Sequence, residues 1–157
     1  MDFFDKYKFS SDNPEEFGIN PNDFKKSDVL DESHLSNLLS TSIRITEDII
    51  PKVYKSIKSV FKKLKVENKF DFFVTSDTYQ ANASCNLMSV SSKPYIILTS
   101  KLIELLNSKE LEFVIGHEVA HYIYQHALYP NPQTTENRSL KLNILNLSRA
   151  AEISADR

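Results

Sequence analysis

Leu111-Glu112-Phe113-Val114-Ile115-Gly116-His117-Glu118-Val119-Ala120-His121 is the stretch that decides how this chain is read. Leu111, Ile115 and Tyr122, joined by Val119 or Ile123, recur at the three- and four-residue spacing of an apolar helix face. His117 and His121 fall on a neighbouring stripe. The spacing predicts one long helix from about Lys109 to Tyr129, with Ser108 as N-cap and Pro130-Asn131-Pro132 ending it. Gly116 is one of two glycines in the chain. A helix interior disfavours glycine by about 1 kcal/mol, so its place before His117 points to close approach of another backbone or of substrate.

Histidines at i and i+4 stack on one helix face, so both imidazoles can reach a single ion. Zinc takes neutral imidazole nitrogen and favours tetrahedral geometry. Glu118, directly after the first histidine, can stand beside an attacking water as general base without ligating the metal. This is the zincin signature, HExxH. The competing reading is a histidine pair that binds nothing.

A catalytic site needs a third protein ligand and an open fourth position. Glu152, in Ala151-Glu152-Ile153-Ser154-Ala155-Asp156, is the candidate. Glu152 and Asp156 share a face of a last helix running from about Arg138. Glu152 can ligate while Asp156 accepts a hydrogen bond from the His117 imidazole and fixes its tautomer. If that helix folds back antiparallel from Tyr129, Glu152 comes level with about residue 115, within about 3 Å of His117 along the axis. The competing reading is an exposed acidic pair.

Working outward, Phe70 to Thr75, about Ala81 to Val90, and Tyr95 to Thr99 read as strands, with turns at Ser76-Asp77 and Ser91 to Pro94. A short helix is expected near Lys101 to Leu106. Upstream, Leu35, Leu38, Leu39, Ser42, Ile45 and Ile49 carry a helical pattern with Ser33 as N-cap. Pro51 ends that helix or opens the next. Val53, Ile57, Val60, Phe61 and Leu64 form an apolar stripe on the next helix. Residues 1–30 read as an irregular arm docked through Phe3, Phe4 and Phe9. The layout is α+β: a small antiparallel or mixed sheet of about three strands packed on the HExxH helix and further helices.

The chain has 157 residues, of which 41% are apolar and 25% charged, enough for one domain with a core. A formal charge of −2 argues against nucleic acid as a partner. Lys52, Lys55, Lys58, Lys62 and Lys63 then read as the solvated face of an amphipathic helix. No apolar run approaches the roughly 20 residues that span a bilayer, so no stable membrane insertion is expected. The single cysteine, Cys85, suits a reducing compartment, and Met1-Asp2-Phe3-Phe4-Asp5-Lys6 lacks signal-peptide character. A cytoplasmic location is expected. His126 reads as a structural polar contact, His34 as a helix surface residue, and Tyr122, Tyr124 and Tyr129 as packing.

Leu111 to His121, the further His126, and Ser148-Arg149-Ala150-Ala151-Glu152-Ile153-Ser154-Ala155-Asp156-Arg157 resemble the HtpX-like and CAAX-prenyl-protease-like zinc metallopeptidases. These are gluzincins with HExxH and a downstream ExxxD. Gln80-Ala81-Asn82-Ala83 and Ile96-Ile97-Leu98-Thr99-Ser100-Lys101-Leu102 extend the resemblance over residues 45 to 157. It implies a zincin-like fold with one Zn2+ per chain on His117, His121 and Glu152, Glu118 as base and Asp156 behind a ligand. It also implies a peptide or unfolded protein laid antiparallel along an edge strand near Asn82 to Met88, with Asn82, Ala83 and Ser84 as substrate-binding residues.

The function expected is that of a zinc-dependent metalloendopeptidase. The alternative is a zinc-binding but inactive scaffold or partner-binding module. A helix-turn-helix-associated, regulator-cleaving peptidase is a third reading that fits the strand order less well. Such domains continue with bracing helices past the second motif, so residues 31–157 are read as a metallopeptidase domain incomplete at its C-terminus. Arg157 is the candidate cation for the oxyanion.

Overall fold

The computed structural model describes residues 12–20, 32–67, 70–86 and 93–157. The expected docking of Phe3, Phe4 and Phe9, the strand residues 87–90, and the side chains of Ser33, His34 and Leu35 lie outside the described residues. The chain falls into two compact units, residues 29–119 and residues 1–28 with 120–157.

In the first unit α1 (Glu32–Thr41) leads into β1 (Ser42–Arg44), then α2 (Pro51–Leu64), β2 (Asp71–Thr75), β3 (Ala83–Asn86), β4 (Tyr95–Thr99) and α3 (Ser100–Leu105). α4 (Ser108–Ile123) begins in this unit and runs out of it. Among the described residues the sheet has four strands, in the order β1-β2-β4-β3. It is mixed: β2 and β4 run parallel, while β1 and β3 pair antiparallel with them.

The expected count of about three strands is therefore corrected to four. Ser42, Ile45 and Ile49, read as helical, lie beyond the end of α1, and Ser42–Arg44 pairs with Phe73–Thr75. β-branched Thr41, Ile43 and Ile45 disfavour continuing the helix and suit a strand. Three residues are too few to display a period of two.

Successive strand side chains point to opposite faces. Phe72 meets Phe61 of α2 edge-on, with ring centroids 6.0 Å apart, and Phe70 joins them. Phe73 turns the other way, to Tyr95 of β4 and Leu38 of α1. The central strands are thus covered on both faces, which explains why their sequences read as near-continuous apolar runs.

Pro51 opens α2 at its first turn, and Val53, Ile57, Val60 and Phe61 are buried along the expected stripe. The lysines on its other face are exposed. α4 is capped by Asn107 rather than Ser108: the Asn107 side chain accepts from the Lys109 and Glu110 N–H groups. The Glu110 carboxylate accepts in return from the Asn107 N–H, closing a reciprocal capping box.

In the second unit α4 ends at Ile123, six positions short of the expected Tyr129. Gln125 adopts a left-handed conformation (φ 60°), and a 3-10 turn follows at His126–Leu128. No glycine or proline marks that stop in the sequence. A further 3-10 turn at Pro132–Thr134 precedes α5 (Arg138–Ala155), whose first N–H groups are accepted by the Asn137 side chain.

Residues 12–20 are ordered locally. Asn13 caps a 3-10 turn at Pro14–Phe17, and Gly18 closes it in the left-handed region (φ 66°), where an added Cβ would be strained. Ile19 packs with Ile144 and Leu147 of α5, flanked by Phe17, Tyr129 and Leu140. Among the described residues no helix is long and apolar enough to cross a membrane.

Candidate metal centre

α4 carries two functions on two faces. Leu111, Ile115 and Val119 are buried and anchor the helix, while His117, Glu118 and His121 are half-buried on the remaining surface. On α5, Ile144, Leu147, Ala150 and Ala151 face the core, which turns Glu152 outward. His121 Nε2 and Glu152 Oε2 approach to 3.6 Å. His117 stands one turn earlier on the same unbroken helix, and each of the three offers one ligand atom within 4.8 Å of the others. Two imidazoles and a carboxylate are the donor set of catalytic zinc sites, which leave a fourth position for solvent or substrate. The chain therefore brings together the three residues that its spacing singles out. Asp156 caps the end of α5, its N–H donating to the Glu152 carbonyl, and is exposed.

Glu118 lies close enough to β3 to act electrostatically on Cys85. Burial first, and then the Glu118 carboxylate, push the Cys85 thiol up to about 12. β3 ends the sheet among the described residues. Its start is pinned by Asn82, whose carbonyl accepts from the Thr99 N–H and whose N–H donates to Thr99 Oγ1. Alternation along an antiparallel ladder then turns the backbone groups of Ser84 and Asn86 toward β4 and those of Ala83 and Cys85 away from it. Asn86 also donates to Ser84 Oγ.

Gly116 does not mark a close backbone approach. A Cβ built there would meet only Val60 Cγ1, at 4.0 Å. The residue instead lines an apolar groove with Val60, Leu64 and Phe113.

Behind His121 lies a polar chain that the sequence only partly discloses. His121 Nδ1 is 2.8 Å from His126 Nδ1, and His126 Nε2 is 2.8 Å from Asp12 Oδ2. Tyr129 donates its phenolic O–H to Asp12 Oδ1 at 2.5 Å. Burial alone would raise the Asp12 carboxyl, but hydrogen bonds from His126, Tyr129 and Ser154 outweigh it and hold it below the ordinary range. Burial and the Asp12 carboxylate push the Tyr129 phenol up. His126 is the expected polar contact. Tyr129, read as packing, is in addition a hydrogen-bond donor. Asp12 is not found by any spacing rule; the one cue is that a buried histidine needs a partner.

An α+β sheet packed by helices, with an HExxH helix meeting a carboxylate from a later helix, defines a metallopeptidase class of site. The family model described as Peptidase family M48 matches residues 50–134, just over half of the chain. The chain belongs to peptidase family M48, whose members are zinc-dependent peptidases acting on peptides and proteins. Comparisons with curated proteins and with solved structures returned no match.

Proposed function

We propose that the chain is a zinc-dependent metalloendopeptidase in which His117, His121 and Glu152 hold one zinc ion and Glu118 is the general base. The observation that carries this reading is the convergence of two imidazoles and one carboxylate from α4 and α5, in a chain of this family. Zinc, when bound, supplies a Lewis acid that polarises the scissile carbonyl and activates water.

The rest falls to the chain's own groups. Glu118 accepts the proton of the attacking water and passes it to the leaving amine. Asp156 accepts a hydrogen bond from the His117 ring and sets its tautomer. An extended peptide or unfolded protein pairs with β3, where Ala83 and Cys85 offer outward backbone groups and Asn82 and Ser84 hold the strand in place. The charge effect of Glu118 on Cys85 of β3 supports this arrangement. Residues 31–157 act as the metallopeptidase domain.

Hydrolysis of an unfolded protein such as casein tests the reading. Activity that a chelator abolishes and added zinc restores is the expected result. Stoichiometric zinc without hydrolysis would identify a zinc-binding scaffold instead.

A further inference from the structure

The polar chain behind His121 has a direction that fixes where protons sit. Asp12 is 1% exposed and His126 9% exposed, so neither has bulk water to satisfy it. A buried carboxylate requires donors at its oxygens. Tyr129 supplies one at Oδ1, Ser154 donates as well, and His126 Nε2 faces Oδ2. That nitrogen must carry its proton toward Asp12. In a neutral imidazole the other nitrogen is then a bare acceptor, and here that nitrogen is His126 Nδ1.

The next contact joins two ring nitrogens at 2.8 Å, a distance that holds one proton between them. With His126 Nδ1 bare, the proton belongs to His121 Nδ1. His121 Nε2 is left with its lone pair, and this is the atom facing Glu152.

We propose that Asp12 and His126 are positioning residues that impose the Nδ1–H tautomer on His121, so that Nε2 is presented as a ready metal ligand. The inference rests on the reading of His121 as a ligand. It adds that an acidic residue from the start of the chain, 114 positions from His126, tunes the metal site through two imidazoles. The aromatic surroundings hold the geometry: the His126 ring lies against His121 at 4.9 Å and Tyr129 at 5.1 Å, centroid to centroid. The opposite proton order, with His126 donating to His121 Nδ1, would place the His121 proton on Nε2 and block coordination.

Two measurements on the 157-residue chain decide the matter. In the unmutated, metal-free protein, long-range 1H–15N correlation of the histidine rings should show His121 protonated at Nδ1 and His126 at Nε2. Protonation of His121 at Nε2 would overturn the proposal. Zinc affinity, read by competition with a chromogenic chelator, should fall about 10- to 100-fold in His126→Phe. His126→Gln, whose amide oxygen can accept from His121 Nδ1–H, should recover much of that loss. Equal affinities for the parent and His126→Phe would also overturn it. Failure of the underlying reading looks different: His121→Ala would then bind zinc as tightly as the parent.

Discussion

Burial, and after it the charge of the Glu118 carboxylate on α4, keep the Cys85 thiol of β3 protonated far above the ordinary thiol range. The chain's only cysteine is thereby made a poor nucleophile. In the metal-free protein, iodoacetamide should alkylate Cys85 slowly at pH 8, with the rate still rising at the highest pH tested. Glu118→Gln removes the charge but leaves the burial. Its alkylation profile should therefore shift to lower pH without reaching that of an exposed thiol. An unchanged profile would show that burial alone acts on Cys85.

The division of labour within HExxH gives a second expectation. Glu118→Gln should bind zinc as the parent does and lose about 10²- to 10⁴-fold in kcat. His121→Ala and Glu152→Ala should lose the metal itself, as read by elemental analysis of the purified protein. Removing zinc from the parent should mimic the ligand variants, and re-adding it should restore only the parent.

Gly116 is a stability reserve. No backbone crowds it, its nearest outside neighbour is one methyl of Val60, and its φ is not in the left-handed region. Gly116→Ala should raise stability by up to about 1 kcal/mol, read as a higher urea midpoint. A decrease would mean that the groove beside it needs the empty volume.

Asp71 ties β1 to the sheet. Its carboxylate accepts from Arg44 at 2.5 Å and from Lys93 at 2.7 Å. Burial alone would raise this carboxyl, but the hydrogen bonds and charges of Lys93 and Arg44 hold it below the ordinary 3.8. A depressed folded-state value contributes stability above the unfolded-state value and loses it as pH falls through the depressed one. The urea midpoints of the parent and Asp71→Asn should therefore differ at pH 7 and converge as pH falls through the depressed folded-state value. A gap of constant size would assign the loss to packing.

The helix of HExxH and the stripe of α2 are legible because each repeats a period over enough residues, and the two central strands because they run apolar along their length. Val53, Ile57, Val60 and Phe61 show the period at helical spacing, and Phe72, Phe73, Ile96 and Leu98 belong to the doubly covered run. β1 was hidden by its brevity, and the end of α4 by a left-handed Gln125, a conformation that no residue type there announces. The candidate ligands were legible because i, i+4 spacing is a geometric statement. Asp12 was not, because a partner so distant in sequence leaves no local trace.

That distance also orders events in time. Ile19 and Asp12 find their contacts in residues 126–154, so this stretch meets partners that are made well after it. Contacts within α4 close only small loops, whereas this one must close a loop of 114 positions. During synthesis the segment around Asp12 waits for His126, and the orientation of the His121 ring is completed only after both have been made.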